Sequence, residues 1–416
     1  MSGRSVAIIR IRQLVQARKQ PVSLLRGQEM NRLPVIENAY LTVENGIITG
    51  FGKMEDFPGG QYDEIIDATG RLVLPAWIDS HTHTVFPASR YDEFIDKIRG
   101  LTYEEIAAKG GGILNSAKKL QQKSEEELLD NALRRIRQMM HYGTGALEIK
   151  SGYGLSVEGE LKMLRVIKKL KNILPIPVKA TFLGAHAVPE NMTRKDYINL
   201  IINEMLPEIA KQNLADYMDV FCEKNYFSPD DTTQLLSAAR KYGLKPKIHV
   251  NQFTSSGGIK VAVEHGAVSV DHLEVMNGED LATLEKSTAI ATVLPGCSFF
   301  LNIPYAPAKE MIRRNIPVAV ATDFNPGSAP SWNMNFMVSL ACIKQKLTTE
   351  QAINAATVNA AAAIEISQAA GQIAVGYPAR LIISVPLNHY GEIPYYFGTN
   401  PVEKTVGFSA SEIPEL

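Results

Sequence analysis

The sequence predicts an α/β fold, a (β/α)8 barrel of the TIM type with a small composite β-sandwich. Two observations predict the barrel. From about residue 70, short apolar and β-branched runs alternate with amphipathic helical stretches, which is typical of βα units around a parallel sheet. Eight such runs can be counted, each followed by a helical pattern, and eight strands close this type of barrel.

The predicted barrel elements are short, and several have recognisable ends. Thr193 and Ser228 are helix-capping residues, and Gly143 and Gly243 are suited to ending a helix. The predicted strands are 72–78, 144–149, 178–183, 217–222, 246–250, 267–270, 289–294 and 317–321. The predicted helices are 125–142, 157–172, 194–210, 229–242, 258–265, 279–285, 308–315 and 349–364.

The two ends of the chain differ from this segment. The turn Glu44-Asn45-Gly46 between two apolar runs predicts a β-hairpin. Neither end is long enough to bury a substantial core alone. We therefore predict that residues 1–70 and 372–416 combine in the β-sandwich, and that residues 71–371 form the barrel. The long connection after His83 contains Gly110-Gly111-Gly112 and is expected to lie over the barrel mouth.

Composition and charge narrow the class of function. The 416 residues are 45% hydrophobic, and 43 basic residues nearly cancel 44 acidic ones. A net charge of −1 gives no reason to expect nucleic acid, so the expected partner is a small-molecule substrate. Three widely spaced cysteines indicate reduced thiols and a cytoplasmic location. No run reaches the roughly 18 apolar residues of a membrane span, so we expect no membrane partner. The sequence does not decide whether the protein forms a homodimer.

The segment Asp79-Ser80-His81-Thr82-His83 follows the first predicted barrel strand. Residues two apart in a strand point to the same face, so His81 and His83 project together. A lone His-x-His pair is a weak signal, because such pairs are often surface or loop residues. Its position at the carboxyl end of a buried parallel strand strengthens it, because such folds place their chemistry there.

More polar residues fall at the carboxyl ends of other predicted strands. Each of them alone is as often a loop-capping group as a functional one, but together they place five of the eight histidines on one rim. The additional residues are His186 after the third strand, His249 in the fifth, His272 at the sixth and Asp323 at the eighth. The remaining histidines, His141, His265 and His389, are expected to be structural.

Four of these side chains form a candidate metal site. His81, His83, His249 and Asp323 offer nitrogen and oxygen ligands that suit one divalent ion, Zn²⁺ or Fe²⁺, and sequence does not decide between the two. Such an ion lowers the pKa of a bound water towards about 7. Asp323 is then both a ligand and a proton acceptor, and His272 binds the water or the developing oxyanion.

At these positions the chain resembles the amidohydrolase superfamily, whose pattern is His-x-His after the first strand, His on the fifth and sixth, and Asp on the eighth. Longer motifs are similar to those of the imidazolonepropionase family. They are Lys150-Ser-Gly-Tyr-Gly-Leu, Phe182-Leu-Gly-Ala-His-Ala-Val-Pro, Asp219-Val-Phe-Cys-Glu, Val270-Asp-His-Leu-Glu and Ala321-Thr-Asp-Phe-Asn-Pro-Gly-Ser. The resemblance implies hydrolysis of 4-imidazolone-5-propanoate to N-formimidoyl-L-glutamate, with water attacking the ring carbonyl at one metal ion.

The same resemblance implies a set of substrate contacts. The planar guanidinium of Arg90 suits two-point binding of the propionate. Gln252 stands where many relatives carry Glu and cannot act as a base, so we assign it to hydrogen bonding with the ring. The other implied contacts are Tyr153, His186 and Ser328 to the substrate, with Asn325 and Gly327 near the product.

Two other functions stay open at this point. One is a different amidohydrolase, either a ring deaminase or a binuclear cyclic-amide hydrolase whose bridging lysine would be Lys224. Two metal ions per chain would favour the binuclear enzyme. The other is a non-catalytic ligand-binding barrel, since a fold alone does not confer a function.

Overall fold

The computed structural model describes residues 4–101, 105 and 111–413, and its strands there form two sheets. Five strands precede the barrel: β1 (Ser5–Val15), β2 (Val35–Glu44), β3 (Ile47–Lys53), β4 (Glu64–Asp67) and β5 (Arg71–Pro75). The barrel strands are β6 (Trp77–Thr82), β7 (Thr144–Lys150), β8 (Val178–Ala185), β9 (Tyr217–Cys222), β10 (Lys245–Val250), β11 (Ser269–His272), β12 (Ile290–Val293) and β13 (Val318–Val320). Two strands follow, β14 (Leu381–Pro386) and β15 (Val402–Val406).

Strands β6 to β13 are hydrogen-bonded in chain order, and every neighbouring pair is parallel. The first and last strands meet just beyond their ends. The backbone N–H of Asp323 donates to the carbonyl of His81 at 3.0 Å, and that of His83 donates to the carbonyl of Phe324 at 2.8 Å. The predicted eight-stranded barrel is therefore confirmed, and its closing hydrogen bonds involve three predicted metal ligands, His81, His83 and Asp323, together with Phe324.

The helix Glu125–His141 packs an apolar face on the barrel. Its buried residues are Leu, Ile, Met and Ala, and its N-cap Ser124 forms a capping box with Glu127. Among the described residues the helices are Tyr91–Ile98, Ile113–Gln121, Glu125–His141, Val157–Ile173, Arg194–Leu200, Leu206–Gln212, Pro229–Arg240, Gly258–Glu264, Gly278–Glu285, Pro295–Leu301, Ala308–Arg313, Met334–Ile343, Thr349–Ala356, Val358–Ala363 and Glu392–Tyr395. A π-helical turn, Ile201–Met205, joins two of them, and short 3-10 turns occur at Gly27–Asn31, Met54–Asp56 and Ala410–Glu412.

One predicted strand is two strands in the structure. Residues 72–78 were expected to be a single barrel strand, but they divide at Ala76 between β5 and β6. The backbone N–H of Ala76 donates to Arg380, next to β14, and that of Trp77 donates to Gly143, next to β7. Because neighbouring residues pair with different sheets, the apolar run continues while its hydrogen-bonding partners change.

The second sheet is mixed and combines both ends of the chain. Its strand order is β15-β14-β5-β1-β2-β3, with β4 paired to β1. The predicted hairpin is present: Asn45 and Gly46 have φ values of 54° and 76°, as a tight turn between β2 and β3 requires. The sheet has its own apolar core, which includes Ile8, Leu41 and Ile383. The composite character of this unit is therefore confirmed.

In its described residues, the long connection after His83 contains the short helices Tyr91–Ile98 and Ile113–Gln121. Of the predicted Gly110-Gly111-Gly112 segment, Gly110 lies outside the described residues. Gly112 and Ile113 line the main cavity described below. Across the described part of the chain, every helix is too short or too polar to cross a lipid bilayer.

Candidate active site

Four side chains bring their ligand atoms together at the carboxyl end of the barrel. Oδ1 of Asp323 lies 3.4 Å from Nε2 of His81 and 3.6 Å from Nε2 of His83. Nε2 of His249 lies 3.4 Å from Nε2 of His83. All four residues are at most 3% exposed. The four predicted metal ligands, contributed by separate parts of the chain, therefore form one cluster.

Two buried aspartates orient two of these imidazoles. Nδ1 of His81 donates to Asp271 at 2.7 Å, and Nδ1 of His249 donates to Asp219 at 2.9 Å. Because an ionised carboxylate can only accept, Nδ1 carries the proton in both rings and Nε2 keeps its lone pair. This is the form in which histidine binds a metal, with its other nitrogen held by a carboxylate.

The donor set fits a divalent transition metal. Within the described residues, the buried Nε2 of His81 has no hydrogen-bond partner, which is costly for a polar atom unless a ligand takes its lone pair. Burial and the charge of Lys150 hold the pKa of His81 well below its usual value, so that ring is neutral. Burial also raises the pKa of Asp323. Three imidazoles and one carboxylate are ligands that suit Zn²⁺ or Fe²⁺.

A buried ionic group lies in the barrel next to this cluster. Nζ of Lys150 lies 2.6 Å from Glu148, 2.8 Å from Asp219 and 3.4 Å from Asp271. Lys247 also pairs with Glu148, and none of these five side chains is exposed. Burial alone would lower the pKa of Lys150, but the three carboxylates raise it above its usual value. The ammonium group is therefore charged.

Four residues at the strand ends of the site have a left-handed backbone conformation. Asn251, His272, Leu273 and Asp323 have φ values of 56°, 86°, 69° and 56°. This left-handed region costs a residue with a side chain about 1 to 3 kcal/mol. Such outliers cluster at functional sites, because only a well-packed surrounding structure can hold them.

His272, at the end of β11, adjoins the metal ligands. Its ring, the ring of His81 and the carboxylate of Asp323 offer atoms that all lie within 4.8 Å of one another. Nδ1 of His272 lies 3.4 Å from Oε1 of Glu274. Burial alone would lower the pKa of His272, but Glu274 raises it above its usual value. His272 is therefore a candidate hydrogen-bond and proton donor beside Asp323.

A cavity of about 580 Å³ adjoins the cluster, a volume typical of a small-molecule site. His83, His249, His272 and Asp323 form part of its wall. All seven predicted substrate residues line it as well, namely Arg90, Tyr153, His186, Gln252, Asn325, Gly327 and Ser328. The structure thus brings every predicted site residue to one place.

Arg90 is held in the cavity wall by contacts that the sequence did not reveal. Glu93 accepts hydrogen bonds from Nε of Arg90 at 2.9 Å and from Nη2 at 2.5 Å. Glu93 is itself fixed by the backbone N–H of Gly112 at 3.1 Å and by Asn115 at 3.2 Å. A Cβ atom at Gly327 would lie 2.2 Å from Nη1 of Arg90, so a side chain at this position would displace the guanidinium that packs on the backbone.

Tyr153 and His186 share one loop support. The buried carboxylate of Glu160 accepts from three backbone N–H groups of the loop 152–155, which carries Tyr153. The carbonyl of Gly152 accepts from Nδ1 of His186 at 3.0 Å. A carbonyl cannot donate, so Nε2 of His186 is left as an acceptor. Burial, and then His249, lowers the pKa of His186 to about 3, so the ring is neutral.

Asn325 shapes the turn that follows Asp323. Its side-chain oxygen accepts from the backbone N–H groups of Gly327 at 2.8 Å and Ser328 at 2.7 Å. The hydroxyl of Ser328 lies 3.5 Å from Oδ2 of Asp323. Asn325 therefore positions Ser328 beside Asp323.

Gln252 is held by a separate contact: its Nε2 donates to the buried sulfur of Cys297 at 3.4 Å.

Comparison with known proteins identifies the family of this chain. Residues 72–406 match the Amidohydrolase family. The chain belongs to the amidohydrolase family. Imidazolonepropionase of Flavobacterium johnsoniae is 56% identical to this amidohydrolase over 395 residues, which are 94% of this chain and 96% of that protein. Imidazolonepropionase of Christiangramia forsetii is 54% identical over 96% of this chain and 98% of its own. The predicted resemblance to the imidazolonepropionase family is confirmed.

Solved structures share the fold of this amidohydrolase at low sequence identity. A triazine hydrolase variant aligns with a TM-score of 0.73 and 14% identity, over 99% of this chain and 96% of its own. A zinc-bound adenosine deaminase from Xanthomonas campestris aligns with a TM-score of 0.70 and 14% identity, over 99% of this chain and 94% of its own. At this identity the likeness shows the fold.

Several acids of the amidohydrolase site, all of them buried except Glu93, were not assigned a role from the sequence. Each acid contacts a predicted site residue or the backbone beside one. Asp219, Asp271 and Glu274 stand inside motifs that had been noticed for their neighbours, so the motifs themselves were the available signal. Glu93 and Glu160 have no such signal, because ordinary helical sequence surrounds them. The five acids without an assigned role are Asp219, Asp271, Glu274, Glu93 and Glu160.

Proposed function

We propose that this amidohydrolase is an imidazolonepropionase, which hydrolyses 4-imidazolone-5-propanoate to N-formimidoyl-L-glutamate in histidine degradation. The observation that carries the proposal is the joining of the His81, His83, His249 and Asp323 cluster to a cavity that Arg90 lines. A substrate of this kind has a cyclic amide at one end and a carboxylate at the other. The metal-ligand cluster matches the cyclic amide, and Arg90 matches the carboxylate.

The metal part of the proposal is one divalent ion per chain, zinc or iron, held by the four-residue cluster. Such an ion supplies a water of lowered pKa, and so a nucleophile at neutral pH. A second ion is disfavoured by the lysines. Lys224 is exposed beyond β9, and the two buried lysines of the barrel strands are paired with carboxylates: Lys150 with Glu148, Asp219 and Asp271, and Lys247 with Glu148.

Asp323 and His272 are the proposed catalytic residues. Attack of water on the ring carbonyl carbon makes a new C–O bond and breaks the ring C–N bond. The proton that leaves the water is taken up by Asp323 and is delivered to the departing ring nitrogen, so that the protons balance. His272, held by Glu274, donates a hydrogen bond to the oxygen that gains negative charge.

Arg90 and the residues around it are proposed to orient the substrate. Glu93 holds the guanidinium, which then pairs with the propionate and turns the ring carbonyl towards Asp323. Nε2 of His186 is an acceptor for a ring N–H. Gln252 and Tyr153 line the same wall and are assigned to polar contacts with the ring, and Ser328 to a contact beside Asp323.

Turnover of the proposed substrate is the direct test. Metal-loaded protein is mixed with freshly generated 4-imidazolone-5-propanoate, the loss of its ultraviolet absorbance is followed, and the product is identified by mass. We expect N-formimidoyl-L-glutamate and no released ammonia, since ring opening keeps both nitrogens. Ammonia release would indicate a deaminase, and metal-loaded protein without turnover would indicate a ligand-binding barrel. Asp323→Asn serves as the inactive control.

Three further points belong to the same proposal. Residues 1–70 and 372–416 form one domain and residues 71–371 the barrel domain, except that β5 (Arg71–Pro75) pairs within the mixed sheet and moves this boundary to Ala76. The protein works in the cytoplasm, a setting in which its three free cysteines stay reduced. Light scattering on the purified protein tests the homodimer that the sequence left open.

A further inference from the structure

Lys150 is a buried charged group to which the proposed reaction gives no role. It ends β7, its side chain has no exposure, and it lies among Glu148, Asp219 and Asp271. Burying an ammonium is costly, and replacing a buried ionic group by apolar residues is often neutral or stabilising. Fold stability alone therefore does not account for a lysine here.

Two chains of contacts run from this one ammonium to two metal ligands. Oδ2 of Asp219 lies 2.8 Å from Nζ of Lys150 and 2.9 Å from Nδ1 of His249. Oδ2 of Asp271 lies 3.4 Å from the same Nζ and 2.7 Å from Nδ1 of His81. In each chain the same carboxylate oxygen contacts both the lysine and the imidazole: Asp219 accepts a hydrogen bond from Lys150, whereas Asp271 forms an ion pair with it. Lys150 thereby links ligands that come from β6 and β10.

We propose that Lys150 is a positioning residue of the metal site. Its ammonium holds Asp219 and Asp271 in place as acceptors, which keeps the proton on Nδ1 of His81 and His249. Both Nε2 lone pairs then face the same point. The inference rests on the proposed metal site and adds Lys150 as the residue that orients two of its ligands.

Two other roles of Lys150 make different predictions. If it acted only through its charge, removing a cation close to a bound dication would tighten metal binding. If it acted only as core packing, removal would lower stability and leave metal affinity unchanged. The positioning role predicts weaker metal binding. Whether metal affinity rises, stays the same or falls in the variant therefore distinguishes these three roles of Lys150.

The experiment compares zinc affinity in wild type, Lys150→Met and Lys247→Met, measured by competition with a chelator. Lys247 is the matched control: it is equally buried and pairs with Glu148, while the two histidine-bound aspartates are contacted by Lys150. We expect Lys150→Met to bind zinc about 10- to 100-fold more weakly, as when a partner of a metal ligand is lost. We expect a much smaller change in Lys247→Met.

Unchanged or tighter zinc binding in Lys150→Met, or an equal loss in both variants, would overturn the inference. A wild type that binds no zinc would instead overturn the proposed metal site. If Lys150→Met does not fold, the full-length wild type is measured after chelation, with nitrogen-15-labelled histidine and nuclear magnetic resonance. His81 and His249 should then both be protonated at Nδ1, and a proton on Nε2 of either ring would refute the positioning role.

Discussion

Replacing Arg90 by alanine is the most direct test of how the cavity selects its substrate. Truncating one partner of a buried charge pair costs about 2 to 5 kcal/mol. The guanidinium here already gives two of its nitrogens to Glu93, and its side chain is 12% exposed. We therefore expect the lower part of that range, about 2 to 3 kcal/mol, or about 30- to 150-fold in kcat/KM.

The assay is steady-state turnover of 4-imidazolone-5-propanoate, run beside an analogue whose propionate is replaced by an uncharged chain. Arg90→Ala should lose activity on the acid and little on the analogue. Arg90→Lys keeps the charge but loses the planar two-point contact with Glu93, so it should fall between wild type and Arg90→Ala. Equal losses on both substrates would refute the carboxylate contact and assign Arg90 to loop structure.

Three more substitutions test other parts of the site. His249→Ala should lose both the bound metal and turnover, because four ligands leave little redundancy; unchanged metal content by elemental analysis would exclude His249 as a ligand. His272→Asn should keep the metal and slow hydrolysis about a hundredfold or more, and a near-normal rate would make His272 a structural strand-end residue. Gly327→Ala should raise KM with the metal retained, because its Cβ would lie 2.2 Å from Nη1 of Arg90; an unchanged KM would contradict the packing of Arg90 on this turn.

Much of the fold was predictable because barrel strands carry a repeating local signal. The run Tyr217–Cys222 was predicted with the observed bounds, since a strand buried on both faces is apolar throughout. The error at residues 72–78 has the same cause. Local composition indicates whether a strand is buried, but it does not indicate which neighbouring strand accepts each hydrogen bond. The change of sheet at Ala76 could therefore not be predicted from the sequence.

Some residues of the site were predictable from the sequence and others were not, for a similar reason. His81, His83, His249, His272 and Asp323 were predictable, because strand ends of a parallel barrel meet at one rim and each residue's place along its strand can be counted. Glu93 and Glu160 were not. Their effect depends on which backbone groups the folded chain brings to their carboxylates, and that is a property of tertiary contact.

By itself the sequence determined the eightfold alternation of strand and helix, the rim on which the histidines gather and the ligand types offered there, because each of these follows from order along the chain. Only the tertiary structure decided which nitrogen of His81 and of His249 faces the cluster. That choice depends on Asp271 and Asp219, and through them on Lys150, which lie on strands far from their partners in sequence. A proton goes to the ring nitrogen that meets an acceptor, and acceptors meet rings only when the barrel has closed.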